Sequence, residues 1–232
     1  MDPFYLGAYW GHRQESSRHC AERLTAFLGR LGEVDESLAT WFRRGGSKAA
    51  AKTPVELDSE SLDRLLLQGV NRRDVGGQVI EELGFSFGLW NRNRPAVGLS
   101  GTVGAYPSFS GVLNSIVLDV PPPDDEAAAR LYEPAVAAAI LDAVVEAWIP
   151  DWATWTSPSL RNVQDVAARE PVLGWMTYLA SPVTVELPNV GRRPLLNGTV
   201  IEVSSQVSEL SEATVLATRS SLAKAGALVP IP

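Results

Sequence analysis

The sequence predicts an α+β fold: antiparallel sheet packed with helices, in one domain with an optional subdomain boundary at 121–124. Three observations carry this. Strand-like segments come in runs and helix-like segments come in runs, without a regular βαβ alternation. The chain opens on an aromatic, apolar segment, Phe4 to Gly11, where disorder usually concentrates. The run Pro121-Pro122-Pro123 cannot continue a sheet ladder and divides the chain near its middle.

The elements follow in order. Phe4–Trp10 reads as a buried strand ended by Gly11. Ser16 and Ser17 precede Cys20, Leu24, Phe27, Leu28 and Leu31, which share one helical face. A short helix through Leu38, Trp41 and Phe42 is expected next. Arg43 to Lys52, rich in Gly, Ala and Lys, reads as a mobile loop. Asp58 or Ser59 can cap a helix carrying Leu62, Leu65 and Leu66, with Gly69 near its end. Leu83–Trp90, Ala96–Ala105 and Val112–Val120 predict an antiparallel meander, Phe85, Phe87 and Leu89 alternating with Ser86 and Gly88. Glycines 98, 101 and 104 suggest bulges or close backbone packing.

After the prolines, Asp124 starts a helical region. Pro134 should break or kink it, leaving a helix to Trp148 with Val136, Ile140, Val144 and Trp148 on one face. Ser157-Pro158 opens a helix to about Ala168. Val172–Leu179, Val183–Leu187 and Thr199–Ser204 are expected strands, with a turn at Asn197-Gly198. A last helix runs from about Ser208 to Ala225, with Gly226 as its cap.

Composition narrows the function classes. A chain of 232 residues with 45% hydrophobic and 20% charged content is an ordinary globule able to bury a core without staples. The single cysteine, Cys20, excludes an internal disulfide and points to a reducing compartment. No basic region precedes an apolar run at the N-terminus. Val136 to Trp148 is too short to span a bilayer and carries Asp142 and Glu146. The expected location is therefore the cytoplasm, with no membrane partner. Net charge is −7; residues 1–120 hold 13 basic and 14 acidic side chains, and residues 121–232 hold 7 and 13. Acidity thus concentrates in the second half. That disfavours nucleic-acid binding and suits a basic protein partner.

Chemical motifs are scarce. His12 and His19 stand seven residues apart, which if helical is two turns, too far for one metal unless the helix starts after His12. On a helix Cys20 points about 100° away from His19. The expectation is a surface His12, a half-exposed His19 and a core Cys20, with no metal site and no cofactor. No Gly-x-Ser-x-Gly, Walker loop or Gly-x-Gly-x-x-Gly occurs, and Gly98 to Gly104 lacks the lysine of a phosphate loop. Asp142 and Glu146 lie on one helical face, and Asp151, Trp152 and Trp155 follow. This acidic, tryptophan-rich stretch is the candidate partner-binding segment, because tryptophan is enriched at interface hot spots. Core packing is the competing role for its tryptophans. Asp151 lacks the following Glu-x-Lys of a metal-dependent nuclease. The alternative reading is a small hydrolase using the dispersed carboxylates Asp142, Glu146 or Asp151.

Several segments resemble the bacterial immunity protein 52 family. They are Tyr5 to Gly11, Cys20 to Leu24, Thr40-Trp41-Phe42, Leu66 to Val70, Gly84 to Asn91, Gly174 to Leu179 and Leu222 to Leu228. The resemblance implies an α+β cytoplasmic immunity protein, not an enzyme, encoded beside a polymorphic toxin. It implies a toxin of restriction-endonuclease fold, often delivered by type VI secretion, whose DNA cleavage the immunity protein blocks. It assigns no catalytic residue.

Overall fold

The computed structural model describes residues 2–44, 50–107 and 111–232. Among these, nine strands form one sheet in the order β2-β3-β4-β5-β1-β6-β7-β9-β8, and five α-helices accompany it. The α+β expectation holds. Two compact units divide the chain: Met1–Ala8 with Asp119–Pro232, and Tyr9–Leu118. We call them the C-terminal and N-terminal units.

The N-terminal unit takes only the last two residues, Tyr9 and Trp10, of β1, Phe4–Trp10. Helix α1, Ser17–Val34, follows; the Ser16 side chain accepts from His19 N–H and satisfies one orphan amide of the first turn. Cys20, Leu24, Phe27, Leu28 and Leu31 are all fully buried, as their spacing requires. Helix α2, Ser59–Gln68, packs on α1; Asp58 caps it and Gly69 ends it. The meander follows as β3, Phe85–Trp90, β4, Gly98–Val103, and β5, Asn114–Val120. Strands β3 and β4 pair antiparallel from Phe85↔Val103 to Trp90↔Gly98.

One expectation fails in this unit. Only Glu36–Leu38 is helical, as a 3-10 turn, and Phe42–Arg43 is strand β2, antiparallel to β3. Trp41 Nε1 donates to the Leu38 carbonyl at 2.7 Å, occupying an acceptor that a longer helix would use. The loop expected over Arg43 to Lys52 falls in part on residues 45–49, outside the described residues; Ala50–Lys52 is a 3-10 turn.

In the C-terminal unit, Glu126–Tyr132 is a 3-10 segment and α3 is Pro134–Trp148. The expected break falls at Glu133, which is extended at φ −62° and ψ 128°; Pro134 is the first residue of α3, where its missing N–H costs nothing. Strand β6, Trp152–Thr156, was not expected. All five of its residues are buried, so it has no polar/apolar alternation to read. Strand β7 is Met176–Leu179, β8 is Gly191–Leu195 and β9 is Gly198–Glu202. Pairs β6–β7, β7–β9 and β8–β9 are antiparallel.

Val183–Leu187 alternates but is no strand: β7 and β8 already occupy both edges of β9. Its carbonyls at Val183 and Val185 accept from Arg192 Nη1 instead. Pro194 is tolerated in β8 because that strand is an edge. Helix α4, Pro158–Asn162, stops well short of Ala168. Gln164 Nε2 donates to Leu160 O at 2.8 Å, the acceptor its own amide would need to continue the helix. Helix α5, Glu212–Lys224, starts four residues late, after a 3-10 turn at Val207–Glu209; Ser211 caps it and Gly226 follows at φ +67°.

Candidate partner-binding surface

The segment from Asp142 to Trp155 lies in the C-terminal unit, as the last turns of α3, a three-residue connection and β6. It separates into two faces. Trp148, Trp152 and Trp155 are 0, 6 and 0% exposed, so the tryptophans build the core rather than a surface. Trp155 Nε1 donates to Ala137 O at 3.1 Å, tying β6 to α3. Its ring lies 6.2 Å from Tyr132, which also stacks on Trp175 at 6.5 Å and meets Phe4 edge-on at 5.8 Å. The Tyr132 hydroxyl donates to Pro121 O at 2.5 Å, and burial holds its pKa above the ordinary tyrosine value.

The carboxylates face outward. Glu146 and Asp151 are exposed and Asp142 is half-buried. Asp142 Oδ1 accepts from Arg193 Nη2 at 2.6 Å, and Arg193 Nε also donates to Glu202 at 3.3 Å. Burial alone would lower the Arg193 pKa. The Asp142 hydrogen bond and charge, with those of Glu202, outweigh it and hold the guanidinium above its usual value. Arg193 therefore cancels much of the Asp142 charge, and sequence spacing gave no sign of it. Between Glu146 and Asp151 stands Ile149, in the left-handed region at φ +49° and 52% exposed. A β-branched residue rarely accepts that conformation, and such strain gathers at functional sites.

The remaining candidates are accounted for plainly. His12 and His19 are exposed and Cys20 is buried. Glu15, with a 6% exposed side chain, is shared by Arg13 at 3.1 Å, Arg23 at 2.9 Å and His19 at 3.6 Å. Burial first, then the Glu15 charge, pushes the Cys20 thiol up to about 12. Among the described residues, no group of three or more His, Cys, Asp and Glu side chains could hold a metal ion. No helix among them is long and apolar enough to cross a membrane.

Residues 2–193 match the family described as Immunity protein 52. The chain belongs to that family. All the resembling segments except Leu222 to Leu228 lie inside the match. Family membership implies a cognate toxin partner and favours a binding role over catalysis. Among solved structures, the Pseudomonas aeruginosa T6SS protein PA0821 is similar in fold, with a TM-score of 0.54 and 12% identity over 94% of this chain and 75% of that one. No curated protein matches.

Proposed function

We propose that this immunity protein binds and neutralises a nuclease-type toxin delivered by type VI secretion, in the cytoplasm of the producing cell. Membership of the immunity protein 52 family is the observation that carries the reading. The T6SS named for the protein of similar fold agrees with the delivery route. A restriction-endonuclease-fold toxin is what the family resemblance implies, and such an enzyme needs a basic surface for DNA. The C-terminal residues 121–232, with 7 basic and 13 acidic side chains, suit that surface.

Neutralisation is by tight binding. A stable complex of standard size would bury roughly 1,200–2,000 Å² in total. Glu146 and Asp151 flank the strained, exposed Ile149 and supply charge around an apolar tip, while Trp152 and Trp155 are buried. Asp142 contributes less, being neutralised by Arg193. The same pairing argues against Asp142 as a hydrolytic carboxylate. The test is calorimetric titration, with stopped-flow mixing for the on-rate, of the protein with a catalytically inactivated copy of its cognate toxin. A saturable complex whose on-rate falls with added salt is expected. No complex would remove the proposal, and a salt-independent on-rate would remove the steering role of the acidic surface.

A further inference from the structure

The N-terminal unit carries a surface of the opposite sign. Between Glu36 and Glu56, and again between Glu82 and Asp119, the sequence has no carboxylate side chain at all. The same two stretches hold six basic residues, in a chain of net charge −7. Pairing of β2 with β3 brings the stretches together: Phe42 lies opposite Trp90 and Arg44 N–H donates to Gly88 O. With a side-chain period of two, Phe42, Arg44, Gly88 and Trp90 share one face, and buried Leu89 points to the other.

On that face the Phe42 and Trp90 rings lie 6.4 Å apart, both half-buried. The Arg92 guanidinium lies 5.3 Å from the Phe42 ring centroid. Arg44, Ala51, Trp90, Ala96, Val97 and Gly98 line an open depression of about 540 Å³. Arg92 and Arg94, both exposed, project from the loop joining β3 to β4. That loop is not loose. Asn91, 3% exposed, donates from Nδ2 to Ser37 O at 3.1 Å and Pro95 O at 2.8 Å. Its Oδ1 accepts from Val97 N–H at 2.9 Å and Asn93 N–H at 3.3 Å. Arg92 is held in the left-handed region at φ +50°, the backbone state that accompanies the stack of its guanidinium on Phe42.

We infer that this face is a second docking surface for the toxin, which receives an acidic segment of it among Arg44, Arg92 and Arg94 over the Phe42–Trp90 pair. The inference rests on the immunity reading above. Charge complementarity names the occupant: arginine forks match carboxylates in bidentate geometry, and arginine beside aromatics is the composition of interface hot spots. The pinned loop lowers the ordering cost of the arginines on binding. Nucleic acid is the weaker occupant, because a duplex meets the field of a chain of net charge −7.

The experiment titrates the inactivated cognate toxin against three proteins: wild type, R92E/R94E, and the control R72E/R73E. The control changes the same charge at two exposed arginines outside this face. Circular dichroism checks that each is folded, and R92Q/R94Q replaces the charge reversal should that variant fail to fold. R92E/R94E should weaken binding about 30-fold or more, R92Q/R94Q about tenfold, and the control less than about threefold. Equal affinity for wild type and R92E/R94E overturns this surface and leaves the immunity function standing. Equal losses in R92E/R94E and the control also overturn it, since overall charge would then be the cause. Failure of the wild type to bind overturns both. A short DNA duplex is the last probe: binding that depends on Arg92 and Arg94, with toxin affinity unaffected by them, overturns the protein occupant.

Discussion

Replacing Asn91 by alanine should destabilise the N-terminal unit far more than its size suggests. The side chain is 3% exposed and makes four hydrogen bonds, to Ser37, Pro95, Val97 and Asn93. Three of these are short and enclosed, and each contributes about 1 kcal/mol net. Val97 is itself only 2% exposed, so its amide loses its side-chain acceptor in a place water does not reach. An orphaned buried donor costs about 1–3 kcal/mol more. The sum is about 4–6 kcal/mol, a large share of the ~5–15 kcal/mol that holds a typical domain. At roughly 2–4 °C per kcal/mol for a chain of this size, the melting midpoint should fall by about 15 °C. Thermal melting followed by circular dichroism reads the total, and hydrogen exchange at the Val97 amide reads the site. N91D keeps the shape and both acceptor bonds but turns an oxygen toward two carbonyl oxygens. Its loss should match or exceed that of N91A at neutral pH and shrink as acid protonates the carboxyl. A loss below about 1 kcal/mol in N91A, with Val97 still protected, would refute the claim that Asn91 pins the arginine loop.

Three further outcomes are expected. Gly174→Ala should prevent normal folding: a Cβ there would sit 1.9 Å from Trp155 O and 2.8 Å from Thr154 Oγ1, so soluble protein with a wild-type melt would contradict the fold. Trp155→Ala should cost about 3–5 kcal/mol by emptying a fully buried site, whereas Glu146→Lys and Asp151→Lys should leave stability within about 0.5 kcal/mol and slow toxin association. Denaturant curves and stopped-flow mixing separate the two effects. Cys20 should resist a thiol reagent at pH 8 in the native protein and react at once in denaturant. Its raised pKa favours the protonated thiol in the folded state. That contribution to stability is therefore complete below pH 9 and is lost as pH rises from 9 through about 12. Rapid labelling of the native protein at pH 8 would contradict the burial.

What could be read beforehand follows from local physics. Strand β1 and helices α1 and α2 were legible because apolar spacing and capping residues are contained in short windows, as with Ser16 before Cys20 and Asp58 before Leu62. Strand β6 was not, since Trp152–Thr156 is buried throughout and shows no period. Strand β8 was hidden by Pro194, which is acceptable only because β8 is an edge, a fact of topology. The candidate surface was half legible. The i,i+4 spacing placed Asp142 and Glu146 on one face, but the partner that neutralises Asp142 lies 51 residues away. Tryptophan content suggested an interface, while the burial of Trp152 and Trp155 places them in the core. The arginine surface had a signal that went unread: two carboxylate-free stretches, which matter only once β2 pairs with β3.

The central claim is protection, and growth tests it most directly. The cognate toxin is induced in a susceptible cell, alone and together with this protein. Arrested growth and fragmented DNA with the toxin alone, and restored growth with intact DNA on co-expression, are the predicted results. Arrest that persists although the protein is present, folded and in excess would contradict the account.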